Sequence, residues 1–248
     1  KNGAIGLDFN YNFVTLANID KNGKLISYNQ INFRNLHFYR KNKRNNYVSF
    51  KLDKIINFCI NKKKGVVIEK LSFNQQFSYN KKLNRKLKNF KFSALGLLKR
   101  KCIKKGVAII TVCPAYTSLI AKYKYSRLHN LSTHLLASYV IARRGLGFKE
   151  EFPTIYKWLL SQVGDVIKPR LKKGSPYYLW SKIHALFKHS GITSFKTSEI
   201  IKKIILMRNV LNSIKGVQSD NLRAGLSKNR QIEDYYKFWK FTNNYQSL

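Results

Sequence analysis

The stretch that decides the fold is Ala4–Asn10, "AIGLDFN", inside the opening run Lys1–Asp20, "KNGAIGLDFNYNFVTLANID". Side chains alternate along a strand, so Ile5, Leu7 and Phe9 share one face while Gly6, Asp8 and Asn10 share the other. Asp8 is conspicuous because the chain holds only 11 Asp and Glu against 48 Lys and Arg. A carboxylate in an apolar run costs several kcal/mol on the scale of about 3–5 unless it is paired or binds a metal.

Working outward, "FVTLANID" reads as a second strand and "DKNGKLISYNQINF" as a third. Asn22-Gly23 between them is the pair expected of a type I′ hairpin, in which both central residues take φ > 0. Val48, Phe50, Ile55, Ile56, Phe58, Cys59 and Ile60 recur at helical spacing, with Gly65 as the expected C-cap. "GVVIEKL" has the apolar, β-branched look of a parallel strand buried on both faces. It ends at Glu69, which shares a face with Val67. The second half of the basic segment "NKKLNRKLKNFKFSALGLLKRKCIKKG" reads as a helix with Leu95, Leu98, Cys102 and Ile103 on one face, and "GVAIITV" as a fifth strand like the fourth. "LSTHLLASYVIARRGLG" reads as a helix with Ser132 or Thr133 at its N-cap and Gly145 at its C-cap. Residues 150–248 read as a basic, mostly helical extension to a domain spanning residues 1–149.

Three meandering strands, helix, strand, helix, strand, helix is the element order of the ribonuclease H-like fold, an α/β fold with a mixed sheet in the order 3-2-1-4-5. That topology sets the first strand beside the fourth and brings Asp8 and Glu69 together. Carboxylates so placed hold two Mg²⁺ ions about 4 Å apart, one activating water and one stabilising the leaving oxygen of a phosphodiester. The competing reading makes Asp8 a strand-end acceptor and Glu69 a salt-bridge partner for one of many lysines.

Composition agrees with a polyanionic partner. The 248 residues suffice for one substantial core plus an extension, given domains of roughly 100–200 residues. A net charge of +37 exceeds what solubility requires and runs along the whole chain, as phosphate neutralisation by dispersed lysines would use it. An AT-rich coding bias accounts for part of the lysine and asparagine excess. Cys59, Cys102 and Cys113 are too far apart in sequence for a CxxC pair, so free thiols in a reducing cytoplasm are expected. No signal peptide is evident, and no apolar run approaches the ~18 residues of a membrane span. The chain begins without Met, Met207 being its only one, which reads as a fragment or truncated reading frame.

"AIGLDFNYNFVTLANIDKNGKLI", "GVVIEKLSF", "VCPAYTS" and "ASYVIARRGLGF" resemble, in order, the RuvC motifs of TnpB-type proteins. These are transposon-encoded RNA-guided nucleases of the IS200/IS605 group, related to type V CRISPR effectors. The resemblance covers residues 3 to 150. It implies a magnesium- or manganese-dependent endonuclease with Asp8 and Glu69 as metal ligands, cutting DNA under guide RNA direction. It also implies an upstream half that binds guide and target, absent from this sequence.

Two departures stand out. "LIAKYKYSRLHNLST" follows "YTS" with no cysteine where the family carries a CxxC…CxxC zinc ribbon, so no zinc is expected. The family's last motif opens with a metal-binding Asp, and here "HLLAS" places His134 at that position, either as the third ligand or as a helix-start residue bonding locally. His129 and Asp165 are weaker candidates because neither lies on a matching motif. Arg143 and Arg144 reach a phosphate or serve the end of their helix. Lys88, Lys91, Lys99 and Arg100 could track a nucleic-acid backbone while Phe90 or Phe92 stacks on bases; the plainer alternative is a solvated basic helix with Phe92 in the core. A nuclease-dead, TnpB-derived nucleic-acid-binding module keeps the fold and the charge and differs at the third ligand. A DDE-type transposase would require a late Glu that "LLASYVIARRG" lacks, and a structural RNA-associated protein leaves Asp8 and Glu69 unexplained.

Overall fold

A computed structural model describes residues 2–33, 36–70, 81–163 and 169–189. Five strands, β1 (Ala4–Phe9), β2 (Phe13–Ile19), β3 (Leu25–Asn32), β4 (Gly65–Glu69) and β5 (Ile109–Val112), form one sheet in the order β3-β2-β1-β4-β5. The first three run antiparallel in sequence, while β1 with β4 and β4 with β5 are parallel. This is the strand order and direction of the ribonuclease H-like fold.

Ile5, Leu7 and Phe9 of β1 pack into a buried core with Leu52, Ile55, Ile56 and Cys59 of α1 (Lys41–Asn61) and with Leu95, Leu98 and Cys102 of α2 (Lys81–Lys104). Burial pushes the Cys59 thiol up to about 12 and raises Cys102, so both behave as inert apolar groups. The opposite face of the sheet carries α5 (Thr133–Gly145), reached through the short helices α3 (Thr117–Ile120) and α4 (Ser126–His129) with a π turn, Ala121–Tyr125, between them. Seven successive residues of α5, Leu136 to Ala142, are buried. That helix lies against the sheet because small residues meet: a Cβ on Gly6 would fall 2.0 Å from the Ser138 carbonyl oxygen and 2.5 Å from the Ala142 nitrogen.

Several expectations are corrected. The β2–β3 turn is not type I′: Gly23 has φ +78°, but Asn22 is not in the left-handed region. The Asp20 carboxylate accepts from the Asn22 and Lys24 amides and Gly23 N donates to Asp20 O, so the acid shapes the turn. Gly65 is not the cap of α1. Lys62 is the C-cap, Lys63 takes the left-handed conformation, and Gly65 already pairs with Ala4. Gly145 ends α5 as a helical residue beneath Val67, while Gly147, at φ +89°, turns the chain. Phe50, Ile60 and Ile103 lie on exposed faces of their helices, and β5 is a half-exposed edge strand unlike β4.

The chain divides into two compact units, Lys1–Glu151 and Phe152–Leu248. In the described part of the second, α6 (Thr154–Val163) and α7 (Tyr178–His189) bury Leu159, Leu160, Ile183 and Leu186, with Phe152 edge-on to Trp180 at 4.8 Å. No helix among the described residues is long and apolar enough to cross a membrane.

Candidate functional site

The parallel register Gly6↔Val67, Leu7↔Ile68 leaves Asp8 and Glu69 as the next residue on each strand, at the carboxyl ends of adjacent strands. Residues paired in parallel strands share a face, and here it is the face of Gly6 and Val67 that α5 covers. The carboxyl ends of parallel strands are where open α/β sheets place their sites.

Asp8 is buried, with its side chain 11 % exposed. Asn10, two residues along and on the same face, donates from Nδ2 to Asp8 Oδ2 at 3.1 Å. His134 Nδ1 lies 3.2 Å from the same oxygen and 3.3 Å from Asn10 Nδ2. Nδ1 either donates to the carboxylate or accepts from the amide, depending on the tautomer. Ser132 caps α5 by accepting from Leu135 N at 3.4 Å, which sets His134 in the first helical turn. The Thr15 hydroxyl donates to the His134 carbonyl at 2.8 Å, tying the helix start to the strand opposite Asp8. The partial positive charge of a helix N-terminus favours a carboxylate nearby.

Glu69 accepts a hydrogen bond from Thr117 Oγ1 at 2.5 Å. Thr117 is delivered by a strained turn, since Tyr116 before it holds φ +59°, a left-handed value uncommon for a bulky residue. Arg144 pins the same turn, donating to the Cys113 carbonyl at 2.6 Å and the Ala115 carbonyl at 2.7 Å. Asn10 and Thr117 are given no role by the sequence. Their signals are present, Asn10 in its period-2 relation to Asp8 and Thr117 in the motif "VCPAYTS", but neither names a partner.

Arg143 donates from Nε to Glu150 at 2.7 Å and from Nη1 to the Gly23 carbonyl at 2.9 Å. Glu150 is buried, with its side chain 3 % exposed, and also accepts from Lys124 at 2.8 Å and Tyr125 at 2.5 Å. Burial alone would raise the Glu150 carboxyl, but the hydrogen bonds from Lys124, Tyr125 and Arg143 outweigh it and hold the group below its ordinary value. Burial, reinforced by that carboxylate, raises Tyr125. These donor atoms of Arg143 and Arg144 are thus turned to protein acceptors. Lys99 and Arg100 are exposed on α2, and Lys88 and Lys91 lie on the same helix, as do Phe90 and Phe92. His129 packs between the rings of Tyr125 and Tyr139, at 6.2 and 5.5 Å. Asp165 lies outside the described residues.

Does this donor set fit a divalent cation? Adjacent donors of an octahedral ion with bonds of about 2.1 Å stand about 3 Å apart, close to the 3.2 Å between Asp8 and His134. No lysine or arginine among the described residues forms an ion pair with Asp8. The buried carboxylate, the imidazole beside it and Glu69 at the same sheet edge are the donor chemistry such an ion takes. Among the described residues, however, no three His, Cys, Asp or Glu side chains converge closely enough to enclose one.

No family profile and no curated protein matches the chain. Among solved structures it is similar to RuvC of Thermus thermophilus in complex with a Holliday junction substrate, with a TM-score of 0.42 and 14 % identity over 56 % of this chain and 88 % of that one. It is also similar to a second Thermus thermophilus RuvC structure, with a TM-score of 0.34 and 15 % identity over 76 % of this chain and 96 % of that one. The fold itself is identified by strand order and direction: a ribonuclease H-like α/β sheet with Asp8 and Glu69 at the carboxyl ends of its adjacent parallel strands β1 and β4.

Proposed function

We propose that the chain is the divalent-metal-dependent endonuclease domain of a TnpB-like, transposon-encoded protein that cuts DNA under guide RNA direction. The observation that carries this reading is the register of β1 and β4, which gives Asp8 and Glu69 one face and one sheet edge while α5 brings His134 to Asp8. Asp8, Glu69 and His134 would hold Mg²⁺ or Mn²⁺. A cation bound there supplies an activated water at neutral pH and charge stabilisation for the departing phosphodiester oxygen. Asn10 orients Asp8, Thr117 orients Glu69, and Ser132 and Thr15 fix the helix start that carries His134. Histidine in place of a third carboxylate favours Mn²⁺, which accepts nitrogen more readily than Mg²⁺ does.

A second reading, a TnpB-derived module that binds nucleic acid without cutting it, is favoured by one observation: no three donors converge among the described residues. The experiment that separates the two is cleavage of end-labelled single-stranded DNA in Mg²⁺ or Mn²⁺ by the wild type, Asp8→Ala, Glu69→Ala, His134→Ala and His134→Asp. Manganese-dependent cutting is expected from the wild type alone, with magnesium-dependent cutting in His134→Asp. Undiminished cutting by His134→Ala excludes the histidine as a ligand. Binding without cutting in every protein and metal selects the second reading. Guide direction is tested separately, by sequencing RNA that co-purifies with the protein.

A further inference from the structure

A groove of ≈ 510 Å³ runs between the edge strand β3 and helix α1, away from Asp8. Its lining includes Lys51, Lys54, Phe58 and Asn29; Gln30 and Asn32 also border it, but they pair with Thr15 and Phe13, which puts their side chains on the opposite face of the sheet. Asn29 Oδ1 accepts from Gln30 N at 2.7 Å. Asn29 Nδ2 makes no hydrogen bond among the described residues, and Asn29 is exposed. Along α1, lysines recur four residues after aromatics: Lys51 lies over Tyr47 at 5.3 Å, Lys54 over Phe50 at 5.1 Å and Lys62 over Phe58 at 6.0 Å. Phe50, which flanks the groove next to Lys51 without lining it, is 58 % exposed. The nearby acid on the helix, Asp53, is neutralised by Lys101 with both oxygens at 2.7 Å.

We infer that this groove is a binding site for single-stranded nucleic acid, separate from the candidate metal site. Lysines meet phosphates, an exposed ring stacks on a base, and the free Asn29 amide meets a base edge that only an unpaired strand offers. Asn29 pairs with Leu16, on the sheet face that α1 and α2 cover, whereas Asp8 faces α5. A strand in the groove is therefore not the strand presented to Asp8. Charge complementarity selects the occupant, because the lining holds two lysines and no acid in a chain of net charge +37.

The test is fluorescence anisotropy with the full chain and labelled 15-nucleotide oligodeoxythymidylate or oligouridylate across a salt series. Lys51→Gln/Lys54→Gln is expected to weaken binding at least tenfold at low salt and to flatten the log–log salt slope by about 1.4, at roughly 0.7 per lost contact on a single strand. Phe50→Ala is expected to cost about tenfold through lost stacking. Asn29→Asp, an exposed and conservative change, is expected to weaken binding by placing a negative charge in the groove. Lys104→Gln/Lys105→Gln removes the same charge at exposed positions elsewhere and is expected to change affinity less than twofold. Whichever oligomer loses more binding identifies the sugar preferred. Equal losses from the groove and control pairs would overturn the inference, as diffuse charge then explains binding. A blunt duplex as sensitive to Asn29→Asp and Phe50→Ala as the single strand would overturn the choice of occupant.

Discussion

Replacing Gly6 by alanine tests how the site is assembled. The new methyl would stand 2.0 Å from the Ser138 carbonyl oxygen, 2.5 Å from Ala142 N and 2.8 Å from Ala142 Cβ. Ordinary contact begins at 3.4 Å, so helix and strand must part by about 1.4 Å. The first two obstacles are backbone atoms of a helix, and no rotamer change clears them. Overpacking of this kind costs about 1–3 kcal/mol, and the upper figure applies where backbone must move. For a unit of this size each kcal/mol lowers Tm by about 2–4 °C, giving a fall of about 6–12 °C. His134 rides on the same helix, and the 3.2 Å contact with Asp8 would open past hydrogen-bond range. The assay is urea and thermal unfolding by far-UV circular dichroism, because all three tryptophans, Trp158, Trp180 and Trp239, lie outside the first unit. Gly145→Ala is the comparison. Its methyl meets the Val67 side chain at 2.2 Å, while a better helix residue returns up to about 1 kcal/mol, so its net cost is expected to be near zero to 1 kcal/mol. A Gly6→Ala protein within 2 °C of wild type, or a Gly145→Ala protein less stable than it, would refute the packing of α5 on β1.

Two further outcomes follow from the buried acids. Glu150→Gln strips the carboxylate from Lys124 and Arg143 and is expected to cost about 3 kcal/mol at pH 7, read by urea unfolding. Because the folded Glu150 carboxyl sits below its ordinary 4.5, the unfolded chain binds more protons between the two values; the stabilisation is complete above about pH 4.5 and lost as pH falls through the folded value, so the gap between wild type and variant should narrow below pH 4.5. Asp8→Asn keeps the shape of a buried side chain that no lysine or arginine among the described residues pairs with, so in metal-free buffer it should change Tm little, while Mn²⁺ should raise Tm in the wild type only. An equal Mn²⁺ shift in both proteins would remove Asp8 from the ligand set.

The sheet order was legible because its signals are local and repeated: period-2 alternation in β1, a β-branched run in β4, and a helix between them long enough for a parallel crossover. The shared face of Asp8 and Glu69 followed from that order. Glycine misled twice, because a glycine near a helix end reads as a cap whether its need is a positive φ or closeness to a neighbour. Gly147 has the positive φ, whereas Gly145 lies under Val67 and Gly65 belongs to β4, and only three-dimensional contact separates these cases. The turn type was misread for a related reason: the Asp20 side chain, not a second left-handed residue, closes the hairpin. Asn10 and Thr117 escaped because a neutral hydrogen-bond donor has no sequence signature until its acceptor is known. Arg143 has the same history, since its partners lie 7 and 120 residues away.

Asp8 contrasts with Asp53, Glu150 and Asp20 in how its charge is met. Asp53 is clasped by Lys101, Glu150 by Lys124 and Arg143, and Asp20 accepts two backbone amides in a turn. With 48 basic side chains available, a structural carboxylate readily acquires a cationic partner. Asp8, buried at the end of the central strand, has instead a carboxamide and an imidazole in the first turn of a helix. The amide is neutral, and the imidazole is charged only when protonated. An internal lysine at this point would neutralise the acid permanently and exclude any exchangeable ion. An arrangement that holds a buried carboxylate with a carboxamide and an imidazole, beside a second carboxylate at the end of the neighbouring parallel strand, keeps its charge available to a cation from solution.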